Sequence, residues 1–173
     1  MNDTIVFFDY RKDFEFELLS LWRKSFNQAI GVEEDTRSEA VNEHLEFLRS
    51  LNHEFIRVAL EETSRKVIGF MRIEEHVIRD LFIHVDYQRQ GLGSRFIQQA
   101  KGENDFLSLS TFELNKGAKK IYDVMGFVIT DRGFASCEGN SWATSKDQLA
   151  DITYEWRRTK SYLPLDAGQR LDR

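Results

Sequence analysis

The sequence predicts an α+β domain with a mostly antiparallel central sheet and one parallel crossover. Strand-like and helix-like segments follow one another in the mixed order β-α-α-β-β-β-α-β-α-β-β, which differs from the regular alternation of a parallel α/β fold. One short predicted helix, 94–101, connects two strands that must then run parallel. A chain of 173 residues has the size of one domain, which we place at 1–160, with a tail at 161–173.

The N-terminal part predicts one strand and two amphipathic helices. Residues 4–11 (TIVFFDYR) have the composition of a strand. From 13 to 31, apolar residues recur at helical spacing, and Gly31 is predicted to end this helix. The pattern Thr-Arg-Ser-Glu at 36–39 predicts a capping box, from which a second helix runs to about Leu51.

The central part predicts three antiparallel strands with tight connections, at 54–62, 66–75 and 78–85. Because side chains alternate along a strand, three polar or aromatic residues of the third one share a side, namely Asp80, Phe82 and His84.

The C-terminal part predicts a strand at 106–112, parallel to the third central strand, and a helix at 115–125. A final hairpin follows, with the segments FVITDRG and LADITYEWRR as its strands. The connection 133–148 is too long for a plain hairpin, and such loops are often lids or partner contacts.

Composition limits the function classes. The formal net charge of −5 does not favour a nucleic-acid binder, which is usually basic. No apparent signal peptide or long apolar stretch is present, so we expect no membrane association. The single cysteine, Cys137, excludes an internal disulfide framework, and we expect a cytoplasmic protein. We expect no metal.

The segment DYQRQGLGSRF (86–96) predicts a phosphate-binding turn. It follows an apolar strand and leads into a helix, so main-chain N–H groups and the positive end of the helix dipole converge there. Glycines allow positive φ and close approach of a ligand. Side-chain donors nearby are Gln88, Arg89 and Arg95.

Two other phosphate motifs fit less well. A nucleotide P-loop needs a Lys-Ser or Lys-Thr pair after its last glycine, whereas Gly93 is followed by Ser94 and Arg95. The dinucleotide fingerprint needs a third glycine where Phe96 stands, although Glu113 matches the position of its ribose-binding acid. A turn whose glycines serve geometry alone stays an alternative.

Two motifs in the right order resemble the GNAT (GCN5-related) N-acetyltransferase family. The segment LFIHVDYQRQGLGSRFI resembles its motif A, Gln/Arg-x-x-Gly-x-Gly/Ala, and is also similar to motif A of the ribosomal-protein alanine acetyltransferases. The segment NKGAKKIYDVMGF resembles its motif B. The matching residues are Gln88, Gly91 and Gly93 in the first motif, and Asn115, Ala118, Tyr122, Gly126 and Phe127 in the second.

The resemblance implies acetyl-CoA as co-substrate and assigns residues to its parts. The pyrophosphate would lie on Gln88, Arg89, Gln90, Gly91, Leu92, Gly93 and Ser94. The pantetheine arm would pair with the main chain of Phe82, Ile83, His84 and Val85, and an N–H near Ile83 would polarise the acetyl carbonyl. Asn115 would contact coenzyme A or cap its helix, and Lys119, with Lys116 and Lys120, could meet the 3′-phosphate. Two departures are a valine at 85, where the family often has proline, and a predicted helix 94–101 that is short for the family.

The resemblance also implies catalytic roles. Tyr122, a phenol that is protonated at neutral pH, would donate to the thiolate leaving group; its alternative role is core packing. Candidate bases for the amine are Glu74, Glu75 and Asp80, with His76 and His84 nearby, and direct attack by a neutral amine is also possible. The alanine acetyltransferases have a glutamate where this chain has Ser110.

We therefore expect an N-acetyltransferase that acts on a primary amine of a small molecule by direct attack in a ternary complex. A protein or peptide acetyltransferase and a non-catalytic acyl-CoA-binding module are the alternatives. The acceptor pocket should form from the helices within 13–51 and the loop 133–148. The resemblance also allows a homodimer.

Overall fold

A computed structural model describes residues 4–159 of the chain, so the predicted tail at 161–173 lies outside the described residues. The domain boundaries stay a prediction. In chain order the elements are β1 (Ile5–Asp9), α1 (Glu15–Ile30), α2 (Ser38–Ser50), β2 (Ile56–Glu61), β3 (Val67–Glu74), β4 (Val77–Ile83), α3 (Leu92–Glu103), β5 (Phe106–Phe112), α4 (Lys116–Val124), β6 (Val128–Phe134) and β7 (Ala150–Arg157).

The seven strands form one sheet in the order β1-β2-β3-β4-β5-β7-β6. The pair β4–β5 is parallel and the other five neighbouring pairs are antiparallel. The predicted fold class and element order are therefore confirmed. Strand β7 lies between β5 and β6, so the last two strands form the predicted hairpin and β7 also extends the sheet from β5.

Two apolar clusters pack on the sheet. One joins α1 and α2 to β2 and β3 through buried residues such as Leu18, Leu48 and Phe70. The other joins α3, α4 and β5 through residues such as Phe96 and Leu107. Each such side chain contributes about 1.5–3 kcal/mol to folding when it leaves water. The two clusters hold the middle strands rigidly between the helices.

A bulge interrupts β4 at Arg79. Arg72 pairs with Asp80, whereas the next residue of β3 pairs with Ile78, so Arg79 is the extra residue. Ile78 packs in the α3–α4 cluster, whereas Phe82 packs against the α1–α2 cluster. The bulge thus reverses the alternation. Beyond it, Asp80 and Phe82 share a side as predicted.

Two predicted helix starts differ from the structure. Helix α2 has Arg37 at its N-cap with no side-chain cap bond, so the predicted capping box at 36–39 is wrong. Asp35 forms the local contacts instead, accepting hydrogen bonds from the main chain and guanidinium of Arg37. Helix α3 begins at Leu92 and runs to Glu103, so the predicted helix 94–101 was too short. Gly102 lies inside it, because one helical glycine costs only about 1 kcal/mol.

Candidate active site

Strands β4 and β5 diverge from a single point of contact. Val77 pairs with Ser108, and the N–H of Ser108 donates to the carbonyl of His76 at 3.0 Å. No further β4–β5 pair is recorded within the described residues, so the strands separate towards Ile83 and Phe112. The resulting cleft exposes main-chain groups of a strand edge, which an extended ligand bearing amides can pair with.

The N–H of Ile83 faces this cleft. Gly69 lies opposite Ile83 in the β3–β4 register, and the N–H of the next residue, His84, donates to the Ile68 carbonyl at 2.9 Å. Main-chain groups in an antiparallel ladder point alternately towards and away from the partner strand. The groups of Ile83 therefore point away from β3. Its carbonyl accepts a hydrogen bond from the Gln88 side chain at 3.1 Å.

The loop after β4 is shaped by its own side chains. Gln88 is engaged with Ile83, and the Gln90 side chain donates to the Asp86 carbonyl at 2.8 Å. Arg89 adopts φ 59° and Gly91 adopts φ 84°. Gln88 and Gln90, both in the segment predicted to hold the pyrophosphate, thus use their side chains to fold the loop, which leaves the main chain as its principal anion-binding group.

The two motif glycines have different roles. Gly91 has positive φ and open space around its missing Cβ, so its conformation requires glycine. Gly93 lacks that backbone requirement, but a Cβ there would lie 2.8 Å from Cδ1 of Ile121. The second glycine lets α3 approach α4, and the first turns the chain into α3.

The start of α3 presents unpaired donors. The N–H groups of Leu92, Gly93 and Ser94 lie in its first turn, where a helix offers no internal acceptor. That turn contains no acidic residue, so the dipole attracts an anion unopposed. Arg95 does not add to this site: its guanidinium donates to the Ile5 carbonyl at 3.3 Å and lies 5.0 Å from the Phe7 ring centre.

The second motif forms helix α4 beside the cleft. The side chain of Asn115 accepts a hydrogen bond from the Ala118 N–H at 3.0 Å, so Asn115 caps the helix. Lys119 is half-buried, and Lys116 and Lys120 are exposed.

Tyr122 on α4 is 7% exposed. Its ring contacts Phe127 and Tyr154, with centres 5.7 and 5.6 Å away. Burial, then Tyr154 and the negative charge of Asp80, raise the pKa of the Tyr122 phenol above its usual value. The phenol is therefore protonated at neutral pH, and it packs in the apolar cluster as well.

Asp80 and Glu74 share one guanidinium, which sequence reasoning missed. Arg72 donates to Asp80 at 2.5 Å and to Glu74 at 2.6 Å, and Arg79 lies 3.9 Å from Glu74. Burial raises the pKa of Asp80, although Arg72 opposes this shift. The sequence did contain a signal for this cluster, because side chains alternate along β3 and Arg72 and Glu74 therefore lie on one side of the strand.

The other candidate bases lie apart from this cluster. Glu75 and His76 form the β3–β4 turn, with φ 47° and 68°, and Nδ1 of His76 lies 2.8 Å from the Asn104 side-chain oxygen. Six residues of strand separate this turn from Ile83, or about 20 Å. His84 follows β4, and burial lowers its pKa.

Three aromatic side chains meet at the end of β5. Trp142, in the loop between β6 and β7, lies 5.2 Å from Phe112 at the end of β5 and 6.0 Å from Phe26 of α1, measured between ring centres. The loop therefore folds back onto α1. The first helix and this loop meet here; that they form the acceptor pocket stays a prediction.

Comparison with known proteins identifies the central segment. Residues 52–129 match the family model described as the acetyltransferase (GNAT) domain. No curated protein sequence matches the chain significantly. No helix within residues 4–159 is long and apolar enough to cross a membrane. In the same residues, no three His, Cys, Asp or Glu side chains are grouped to hold a metal ion.

Solved structures share the fold. The apo form of YjaB from Escherichia coli has a TM-score of 0.68 and 20% identity, over 90% of this chain and 99% of that one. PaiA N-acetyltransferase from Thermoplasma acidophilum, in complex with coenzyme A, has a TM-score of 0.62 and 14% identity, over 89% and 99%. A Bacillus anthracis protein assigned as a streptothricin acetyltransferase, bound to acetyl-CoA, has a TM-score of 0.51 and 28% identity, over 60% and 63%.

Proposed function

Since this chain carries a GNAT acetyltransferase domain, we propose that it transfers the acetyl group of acetyl-CoA to a primary amine of a small molecule. The transfer proceeds by direct attack in a ternary complex. The observation that carries this proposal is the cleft between β4 and β5, which has an anion-binding helix start at its mouth, a free N–H at Ile83 and a buried phenol at Tyr122.

Coenzyme A fits this cleft in one direction. Its pyrophosphate is held by N–H groups of the segment 88–94, and its pantetheine amides pair with the exposed edge of β4 from Phe82 to Val85. Lys119, one helical turn after the Asn115 cap on α4, is the lysine that we assign to the 3′-phosphate. The thioester then lies beside Ile83.

The acetyl carbonyl accepts a hydrogen bond from the Ile83 N–H. Attack by an amine turns this carbonyl into a tetrahedral oxyanion, and a donor already aimed at it stabilises that charge without reorganisation. The N–H is held by the strand, because its neighbour His84 is bonded to β3. No side chain needs to move for this donor to act.

Tyr122 supports departure of the thiolate. A thiol has a pKa of about 8.5, which is below the raised pKa of this phenol. The phenol therefore stabilises the developing thiolate by donating a hydrogen bond. The phenol and the ammonium formed by the attack both contribute to protonating the sulfur. Its ring contacts hold it in place for this role.

Asp80 is the base that the geometry favours, with Glu74 behind it. Asp80 follows the β4 bulge and lies about 10 Å along the strand from Ile83, a span that one or two waters bridge. Its negative charge is close enough to Tyr122 to help raise the pKa of that phenol. Glu75 stays a sequence prediction that we do not carry into the mechanism, because it lies on the distant turn. Ser110 stands where the alanine acetyltransferases have a glutamate, and it is exposed and hydrogen-bonded to Thr153.

A small acceptor fits better than a peptide. Trp142 contacts Phe26 and Phe112, and this contact between the loop and α1 supports a narrow acceptor site. An acceptor of small size still reaches the thioester between α1 and β4. A peptide acetyltransferase needs this loop to be lifted from α1.

The test is acetyl-CoA thiol release across a panel of small amines and peptides. We expect turnover with at least one small amine and none with peptides.

Variants test the catalytic residues. Tyr122→Phe should lower kcat at least 10-fold, and Asp80→Asn should lower kcat about 100-fold and alter its pH profile. Glu75→Gln is the matched control and should leave turnover unchanged. Coenzyme A binding without turnover on any acceptor would instead indicate a non-catalytic acyl-CoA-binding module.

A further inference from the structure

Helix α1 contacts both strands at the end of the cleft where β4 and β5 diverge. Trp22 and Phe26 lie one turn apart on this helix and therefore on the same face. The Trp22 ring lies 6.5 Å from Phe82 of β4, and the Phe26 ring lies 6.3 Å from Phe112 of β5, measured between ring centres. Phe82 directly precedes Ile83, and Phe112 ends β5. One face of α1 thus presents an aromatic ring to each side of the cleft.

The rings at this end of the cleft keep accessible surface. Five of them are half-buried, namely Trp22, Phe26, Phe82, Phe112 and Trp142. By contrast, Phe70 and Phe96 in the two apolar clusters are buried. Phe47 of α2, with its ring centre 5.6 Å from that of Trp22, is 47% exposed. A ligand with an apolar body would cover aromatic surface that the fold leaves accessible here.

A negative charge lies next to these rings. Asp80 and Trp22 line a space of about 10 Å³ between the helices and the sheet, which has room for about one water molecule. Arg72 donates to Oδ2 of Asp80, and Oδ1 accepts no hydrogen bond within residues 4–159. The carboxylate and the faces of the aromatic rings both attract a cation. An ammonium group that reaches Asp80 through water, with its carbon body on the rings, satisfies both.

The same surface is poorly suited to a strongly polar amine. An amino sugar or a polyamine loses water from several hydroxyl or ammonium groups on binding, and each of these groups needs a polar partner. The half-buried rings supply apolar faces instead. The indole N–H of Trp142 already donates to the side-chain oxygen of Asn140 at 3.1 Å. The lining therefore favours an acceptor with one amine and an aromatic body.

We propose that the acceptor is an arylalkylamine, a primary amine on a short alkyl chain that carries an aromatic ring. Trp22 and Phe26 determine this specificity by packing against the acceptor ring, while its amino group lies beside Ile83. The inference rests on the function proposed above and names the acceptor class of that same site. In the transfer the N–C bond forms and the C–S bond breaks, the amine loses one proton and the sulfur gains one.

The first experiment measures thiol release from acetyl-CoA with phenethylamine, putrescine and glucosamine as acceptors. The kcat/KM for phenethylamine should exceed that for either of the other amines at least 10-fold, since apolar contacts of even one methylene give discrimination of that order. A higher kcat/KM for putrescine or glucosamine would overturn the arylalkylamine assignment and leave the proposed acetyl transfer standing.

Binding separates the acceptor class from turnover. Isothermal titration calorimetry of the protein saturated with coenzyme A measures the Kd for each amine without reaction. Phenethylamine should bind at least 10-fold more tightly than putrescine, and more tightly than 2-phenylethanol, which lacks the ammonium group. That selectivity without acetylation would refute the proposed transfer but support recognition of arylalkylamines. Equal or weaker binding of phenethylamine overturns the inference.

Variants test the two rings of α1. Trp22→Leu and Phe26→Leu should each raise the Kd for phenethylamine about 3- to 10-fold and leave the Kd for acetyl-CoA unchanged, because each removes one aromatic face. Trp22→Phe keeps an aromatic face and should restore most of the affinity, which a general loss of structure would not allow. Phe16→Leu, on the same helix and 67% exposed, is the matched control and should bind as the wild type does. Unchanged phenethylamine binding in both leucine variants of Trp22 and Phe26 contradicts their role.

Discussion

At the scale of single residues, the two glycines of the first motif have separate physical reasons. Gly91 supplies a left-handed backbone, with φ 84° and open space around it. Gly93 supplies room, since a Cβ there would press on Ile121. The same motif spacing thus combines a conformational requirement with a packing requirement. Sequence reasoning identified both positions and assigned both to the ligand.

We predict that alanine at these positions has different consequences. Gly91→Ala should lower the free energy of unfolding by about 1–2 kcal/mol, because an L-residue is strained in that conformation. Gly93→Ala should also destabilise, but Ile121→Val, which removes the clashing Cδ1, should restore part of the loss. Urea unfolding measures each value. In the matched control Gly102→Ala, inside α3 with open space, stability should rise by about 0.5–1 kcal/mol. Equal rescue of Gly91→Ala by Ile121→Val would contradict this assignment.

At the scale of elements, the connection between α1 and α2 depends on one buried arginine. The Arg23 side chain is 4% exposed. It donates to Glu34 at 3.1 Å and to the Ala40 carbonyl at 3.3 Å, and it lies 2.6 Å from Nδ1 of His44. This last contact requires an unprotonated Nδ1, since a guanidinium only donates. Helices α1 and α2 are therefore joined by a contact that protonation of His44 breaks.

This contact predicts a pH dependence of stability. Burial, then the charge of Arg23, lower the pKa of His44 from 6.5. Below about pH 6.5 the unfolded chain binds a proton that the folded chain does not, so stability falls as pH decreases, down to the folded pKa. Above about pH 6.5, His44 is neutral in both states, so stability no longer depends on pH through this residue.

The measurement is the free energy of unfolding from pH 7.5 to 5 in the wild type and in His44→Asn. The difference between the two should shrink as pH falls, since the substituted chain lacks the proton uptake. His84→Asn is the control, because burial lowers the pKa of His84 as well and its removal should leave the His44 contribution intact. Parallel curves for wild type and His44→Asn are incompatible with this account.

At the scale of the whole molecule, the sheet is a rigid frame that opens at one place. Five antiparallel strand pairs hold the sheet together, whereas the parallel β4–β5 pair is reduced to a single residue pair within the described residues. The apolar clusters on both faces keep the two halves from separating further. A ligand in the cleft completes main-chain pairing that the protein leaves unmade.

We therefore predict strong stabilisation by the co-substrate. Acetyl-CoA at 100 times its Kd should raise the free energy of unfolding by about 2.7 kcal/mol. Thermal unfolding monitored by circular dichroism measures the shift in Tm. Pantetheine, which lacks the pyrophosphate, should give a much smaller shift at the same concentration. An equal shift with both ligands would mean that the loop at 88–94 holds no phosphate.

The homodimer stays a prediction, which sedimentation equilibrium tests.

The sequence by itself determined the order of elements, the fold class and the two motifs. These features depend on local spacing: alternation for the strands, helical periodicity for α1 and α4, and glycine at fixed intervals in the turn. The prediction failed at the starts of α2 and α3, where neighbouring side chains and one glycine decide the boundary. Only the tertiary structure decided which main-chain N–H faces the cleft, because strand register sets that direction. It also brought Arg72 between two carboxylates, and Trp142 onto Phe26 and Phe112. Such contacts join residues far apart in the chain, and no local pattern in a single sequence specifies them.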